Sequence, residues 1–331
     1  MKYIYRTFII VAILLLSAFI YFGYSIRSPY SNKGVNKLEG ETKEEALKKQ
    51  LEKGINVFNG DEILRILILG VDKSDTVNQT AEQNGMRTDT IMLFSIDPKG
   101  KVQILSIPRD SYVKIHGYGK NKINAAFSDI VYPKDGGLKL TTQTVEDLLD
   151  VKINHYAIVD YTAVREVVDT LGGVDVEWNY PDYEYTDDWV VPPLKISMKN
   201  GINHLNGEQA MAYLRARKAY PNQDLGRIEA QQGFLITLFD KMKTPSIIFK
   251  IPKLIGIIDK NVETDLNYGE ITYLANFGLK LDRENIKTTR VKGHNKRGVK
   301  IGKDEVEVLE INEEQAKQLA KDFDYEMTDG E

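Results

Sequence analysis

Two apolar runs, Ile91 to Ile96 and Val102 to Ile107, are separated only by Asp97-Pro98-Lys99-Gly100 and the residue after it. Proline presets the first turn dihedral and glycine accepts the last turn position, so the runs fold back on each other as an antiparallel pair. This constraint returns Arg109 to the end of the pair from which Asp89 set out. The charged words at that end are Arg87-Thr88-Asp89-Thr90 and Pro108-Arg109-Asp110. A third run, Ile63 to Leu69, is apolar at nearly every position and ends in Gly70-Val71-Asp72. It reads as a strand buried on both faces with an acid at its tip. Asp72 and Asp89 are thereby expected to face arginines across one sheet edge.

Carboxylates and guanidinium groups at such an edge suit a phosphorylated ligand. The acids hold a divalent ion, and the arginines neutralise phosphate oxygens through paired hydrogen bonds. The bland alternative is a set of surface ion pairs at strand ends, each contributing about 0 to 1 kcal/mol.

The body of the chain alternates strands with helices. Thr141 to Leu149 places Val145, Leu148 and Leu149 on one helical side, and Ile153 to Val159 reads as a strand. Tyr161 to Leu171 has Val164, Val167, Val168 and Leu171 at helical spacing, with Gly172-Gly173 as its left-handed stop, and Val174 to Trp178 returns as a strand. This order predicts an α/β fold with a mixed central β-sheet sandwiched by helices. Lys122, in Lys122-Ile123-Asn124-Ala125-Ala126-Phe127, opens a helical turn within reach of a phosphate at the site. Asn179 to Lys199 breaks the alternation with aromatic rings, acids and Pro192-Pro193, and reads as a surface hairpin or loop.

Arg215-Ala216-Arg217 follows a helix announced by Asn206-Gly207-Glu208-Gln209. Residues two apart on a helix point about 200° apart, so both arginines serve one site only if the helix ends near Leu214. Asp224-Leu225-Gly226-Arg227 reads as the cap and first turn of the next helix, with Arg227 and Gln231 on one face. Helix N-termini favour anions, which makes this a second element suited to phosphate. Two further helices are expected around Ile247 to Ile258 and Asn267 to Leu281, then strand-like alternation from Asn285 to Ile311, and a frayed acidic end from Asp322.

Composition narrows the function classes. The chain has 331 residues, 42% of them hydrophobic, and a net charge of -4, which offers no footprint for nucleic acid. Without cysteine, disulfides and thiolate metal sites are excluded. The four histidines are too scattered for a metal cluster. Phe8 to Ile26 carries no charge and is long enough to cross a hydrocarbon layer of roughly 30 Å. The reading is a cytoplasmic N-terminus over residues 1–6, an uncleaved transmembrane signal anchor over 7–26 and a spacer over 27–60. A single domain over 61–321 and an acidic tail over 322–331 follow. A cleaved signal peptide is the rival reading for the anchor.

The segments ILILGVD, RTDTIMLFSIDPKGKVQILSIPRDSYV, KINAAF, NHYAIVDYTAV, LGGVDV, LNGEQAMAYLRAR and DLGRIEAQQ, in this order, resemble the LytR-CpsA-Psr family of cell-wall glycopolymer ligases. The resemblance implies a membrane-anchored, extracytoplasmic transferase. Its donor is a polyprenyl-pyrophosphate-linked glycopolymer, teichoic-acid-like or capsular, and its acceptor a peptidoglycan sugar hydroxyl. By motif match, Asp72 and Asp89 correspond to the acids at a magnesium- or manganese-pyrophosphate site, with Asp75 as a competitor for the place of Asp72. Arg87, Arg109, Arg215, Arg217 and Arg227 correspond to phosphate-binding arginines, joined by Asp224 and Gln231 in the adjoining motif. Asp89, Arg109 and Arg217 are the expected catalytic residues. Two other readings use the same site: a lipid-pyrophosphate-binding regulator, and a pyrophosphate hydrolase with water as acceptor.

Overall fold

The computed structural model describes residues 57–58, 62–71, 75–76, 87–188, 190–191, 193–216, 218–221, 224–244, 247 and 250–328. The expected membrane anchor, most of the spacer, Asp72 and Arg217 lie outside them. Among the described residues, no helix is long and apolar enough to cross a membrane.

A six-stranded mixed sheet organises the chain. Its strands are Leu64–Val71 (β1), Thr88–Ile96 (β2), Val102–Ser106 (β3), His155–Asp160 (β4), Val262–Thr264 (β5) and Ile286–Arg290 (β6), in the spatial order β5-β4-β1-β2-β3-β6. The antiparallel pairing of β2 with β3 is the expected hairpin, in register Met92↔Ser106 to Ile96↔Val102. Its turn is closed by the Gly100 N–H donating to the Asp97 carbonyl at 3.0 Å, and Gly100 takes a φ of +98° that a side chain would resist. Strand β1 lies antiparallel to β2 and parallel to β4, so it is central, as its unbroken apolar run implies.

The period of two then sorts side chains to opposite faces. Leu67, Leu69, Ile91, Leu93 and Leu105 face one core, which includes Val145, Leu148 and Leu149 of Leu138–Leu149 (α1). Leu64, Ile66, Met92, Ile96 and Ile104 face the other, under Tyr273 and Phe277 of Tyr268–Lys280. The remaining helices, in chain order, are Tyr161–Leu171 (α2), Gly207–Arg215 (α3), Asp224–Met242 (α4) and Ile251–Asn261 (α5). Tyr268–Lys280 is then α6, and Glu313–Thr328 is α7. Helix α2 runs over the expected residues, with Gly172 at φ +81° as its stop.

One expectation is corrected and another is given its form. The acidic end does not fray at Asp322: α7 runs to Thr328, because Ala316, Ala320 and Phe323 form one helical face that is buried. The segment after Lys122 is a 3-10 turn, Ile123–Phe127, preceded by a small hairpin that pairs Tyr112–Lys114 with Lys120–Lys122. Asn179 to Lys199 does supply the expected hairpin, Tyr183–Asp187 against Leu194–Met198.

That hairpin helps to enclose a third core around Trp178, Tyr213 and Tyr220. Tyr220 lies 5.4 Å from the Trp178 ring and 6.4 Å from the Tyr213 ring, centroid to centroid. Burial pushes the Tyr220 phenol well above its ordinary range, with Tyr213 adding to the effect, and burial raises Tyr213 as well. A phenol whose pKa is raised on folding contributes stability that is full below its unfolded value of about 10 and is lost as pH climbs past it. Urea denaturation at pH 8 and pH 11 is expected to show lower stability at pH 11, and a smaller loss in Tyr220→Phe. An equal loss in both proteins would remove Tyr220 from the account.

Candidate active site

At the open end of the β2/β3 hairpin the register with β1 slips. Gly70 pairs with Thr90 and Val71 with Thr88, so Asp89 is left as the extra residue of a β-bulge. Bulges re-aim side chains beside functional sites. Gly70 permits this one, because a Cβ there would stand 2.9 Å from the Thr90 Cβ.

Arg109 arrives from the far side of the hairpin. Pro108 to Ser111 forms a tight turn, with the Ser111 N–H donating to the Pro108 carbonyl at 3.0 Å, and it projects Arg109 and Asp110 at its centre. The turn is held from two directions: the Asn124 N–H donates to the Arg109 carbonyl at 3.2 Å, and the Leu309 N–H to the Asp110 carbonyl at 2.9 Å. Leu309 belongs to the C-terminal hairpin of Gly293–Ile301 and Asp304–Ile311.

The guanidinium of Arg109 donates from Nη1 to Asp89 Oδ1. Its Nε stands 3.7 Å from Asp110 Oδ2 and 3.8 Å from Asp224 Oδ1. Burial alone would lower its pKa, yet Asp89, Asp110 and Asp224 together raise it, so the group stays charged. Lys122 joins through Asp110, Nζ to Oδ1 at 2.8 Å.

The third segment is the first turn of α4. Asp224, expected as the cap, lies inside the helix, and its Oδ1 faces Arg227 Nη2 at 2.7 Å across one turn. Arg227 is 2% exposed and also donates to the Asp89 carbonyl at 3.4 Å. Gln231, one turn on, donates to the Leu214 carbonyl at 3.2 Å and accepts from Thr90 Oγ1 at 3.4 Å. Gln232 fastens the helix to the sheet, donating to Ser106 Oγ at 2.9 Å and to the Thr289 carbonyl at 2.7 Å.

Asp89, Arg109, Lys122, Asp224, Arg227 and Gln231 are therefore brought together as the sequence implied. Helix α3 does end where both arginines of its basic word require, at Arg215 with Ala216 extended. Arg215 itself lies over the Tyr161 ring, 6.0 Å from its centroid. Arg87 is exposed at the entrance to β2. Asp75 lies in a two-residue strand, Asp75–Thr76, paired with Val190–Val191. Asp110, Thr90 and Gln232 were missed as site residues. For Asp110 the signal was present, since it completes the Pro-Arg-Asp word.

Two donors in this cluster lack an acceptor. Arg109 Nε and Arg227 Nε are buried and make no hydrogen bond among the described residues. A buried N–H without a partner costs about 1–3 kcal/mol, so such donors favour an incoming oxygen. Asp89, Asp110 and Asp224 face Arg109, Lys122 and Arg227 in equal number, leaving the cluster nearly balanced in charge. No group of three or more potential metal ligands stands together among the described residues. A surface depression of about 670 Å³, lined by Val113, Glu146, Leu148, Asp150 and Val151 among others, lacks the residues of the cluster.

The fold and the site define a class of protein: an α/β domain that gathers buried arginines, balanced by carboxylates, at the strand ends of a mixed sheet. A model of the LytR_cpsA_psr family matches residues 22–323, and the chain belongs to that family. It is 37% identical over 209 residues to "Polyisoprenyl-teichoic acid--peptidoglycan teichoic acid transferase TagV" of Bacillus subtilis (strain 168), covering 62% of this chain and half (50%) of that relative. TagU of Bacillus licheniformis, named as the same kind of transferase, is 31% identical over 74% of this chain and 73% of its own. The crystal structure of B. subtilis TagV superposes with a TM-score of 0.65 at 30% identity, over 81% of this chain and 98% of that one. A structure of TagT bound to LIIa-WTA superposes with a TM-score of 0.61 at 26% identity, over 82% and 94%.

Removing Arg227 takes from Asp224 a partner at 2.7 Å that is almost fully buried. Arg227→Ala is expected to lose about 3 kcal/mol of stability by urea denaturation, as broken buried ion pairs do, and Arg227→Lys to lose less. A change within about 0.5 kcal/mol for Arg227→Ala would mark the contact as an ordinary surface pair.

Proposed function

We propose that this chain is a membrane-anchored transferase. It moves a glycopolymer from a polyprenyl-pyrophosphate carrier to a sugar hydroxyl of peptidoglycan. The observation that carries the reading is the pair of buried, unsatisfied Nε–H donors on Arg109 and Arg227 beside three carboxylates. The names of the teichoic acid transferases to which the chain is similar support the substrate class. The uncharged run from Phe8 to Ile26 supports the anchor, with the described domain outside the membrane.

Transfer at a pyrophosphate needs neutralisation of the transferred and leaving phosphates more than it needs a nucleophile on the protein. The acceptor oxygen bonds to the phosphorus next to the sugar, the bridging P–O bond breaks, and polyprenyl phosphate leaves. Arg109 and Arg227 take the phosphate oxygens, and their planar forks fix two oxygens at once. Lys122 adds a compact charge at the rim, Arg87 and Arg215 stand on flanking segments, and the motif match adds Arg217 to the phosphate-binding set. When phosphate takes Arg109, the Asp89 carboxylate is released for the acceptor hydroxyl's proton; alternatively Asp89, with Asp72, would hold a divalent ion. Magnesium or manganese, when bound there, supplies charge neutralisation on the phosphates. Asp224 and Gln231 hold Arg227 and the start of α4 in place.

The test is to incubate the purified chain with a polyprenyl-pyrophosphoryl glycan, magnesium and peptidoglycan oligomers, and to analyse the products. Glycan joined to peptidoglycan through a phosphodiester is expected. Arg109→Ala is expected to lower turnover at least tenfold, since a charged hydrogen bond contributes about 1.5–3 kcal/mol. Free sugar phosphate as the only product would replace the transferase with a hydrolase, and unchanged donor would leave a binding protein.

A further inference from the structure

Of the four large hydrophobic side chains exposed among the described residues, Tyr118 at 38% and Ile130 at 55% fall within one short stretch. Tyr118 sits at the tip of the small hairpin formed by Tyr112–Lys114 and Lys120–Lys122. Its ring lies against Tyr132, centroids 4.7 Å apart and planes tilted by 51°. Both rings are held by polar partners: the Tyr118 hydroxyl donates to Asp135, and the Tyr132 hydroxyl accepts from Asn121 Nδ2 at 3.2 Å. Gly117, at φ +72°, makes the tight tip that presents Tyr118. The result is an aromatic shelf with carboxylate and amide groups at its edge.

The shelf is continuous with the arginine cluster. Tyr112 pairs with Lys122 at the root of the hairpin, and Lys122 reaches Asp110, which faces Arg109. Three strand residues separate root from tip, a span of about 10 Å. A sugar ring has an apolar C–H face and a rim of hydroxyls, which matches an aromatic face bordered by Asp135 and Asn121.

We propose that this Tyr118–Tyr132 shelf docks the acceptor, a saccharide chain bearing peptide carboxylates, and the proposal rests on the transferase reading above. The donor is held at the arginines by its pyrophosphate, whereas the acceptor offers them no phosphate and needs a surface of its own. Its hydroxyl must also reach the phosphorus roughly in line with the leaving oxygen, so that surface must adjoin the cluster. Exposed Lys114 and Lys134 on the same segment complement carboxylates on the acceptor.

Steady-state transfer by the full chain, with soluble peptidoglycan oligomers and donor varied separately, tests the proposal. Loss of an aromatic contact of about 0.5–1.5 kcal/mol corresponds to about three- to tenfold. Tyr118→Ala is expected to raise the acceptor KM by that factor with donor KM unchanged, and Tyr118→Trp, which keeps a ring, to stay near wild type. An unchanged acceptor KM in Tyr118→Ala, or a rise in donor KM instead, would overturn the assignment. Wild-type protein that consumes no donor would overturn the transferase reading itself, and the shelf with it.

Discussion

A guanidinium group taken out of water must find carboxylates, and the pairing of Arg109 with Asp89 across the mouth of the β2/β3 hairpin meets that requirement. The two residues are 20 apart in sequence and meet only because the hairpin register holds. A slip of one residue would turn both side chains to the wrong face. Much of the surrounding architecture fixes this contact. Gly70 admits the bulge that frees Asp89, the C-terminal hairpin clamps the Arg109 turn through Leu309, and Gln232 pins α4 to the ends of β3 and β6.

Balance of charge holds the cluster together. Each cation has a carboxylate at hand, so the site is not driven open by repulsion, yet two Nε–H groups keep hydrogen-bonding capacity in reserve. Phosphate oxygens would complete those donors at the cost of loosening the carboxylates. That exchange favours ligands with several negative oxygens over single carboxylates. It also favours arginine over lysine at positions 109 and 227, where one side chain must serve a carboxylate and a phosphate together.

The sheet and its flanking helices were legible because their signals are local. The apolar runs of β1, β2 and β3 and the Asp97–Gly100 turn specify a hairpin without help from distant residues, as the spacing of Val164, Val168 and Leu171 specifies α2. The arginines and acids were legible as words in a family pattern. What lay outside the sequence reading depends on contacts between distant segments. Leu309 gives no sign that its backbone will hold Asp110, nor Gln232 that it will bridge Ser106 and Thr289. Arg215 shows no sign of lying over Tyr161. The continued helix beyond Asp322 follows from burial of Phe323, which a count of acidic residues conceals.

The central claim is that Arg109 and Arg227 present their Nε–H groups to pyrophosphate oxygens. Nitrogen-proton NMR of the arginine side chains reads this directly, with the two signals assigned by Arg109→Lys and Arg227→Lys. Titration with a short-chain prenyl pyrophosphate and magnesium is predicted to shift both Nε–H signals together and to saturation, as each gains an acceptor. Signals from these two residues that stay fixed while the ligand binds elsewhere would contradict the account.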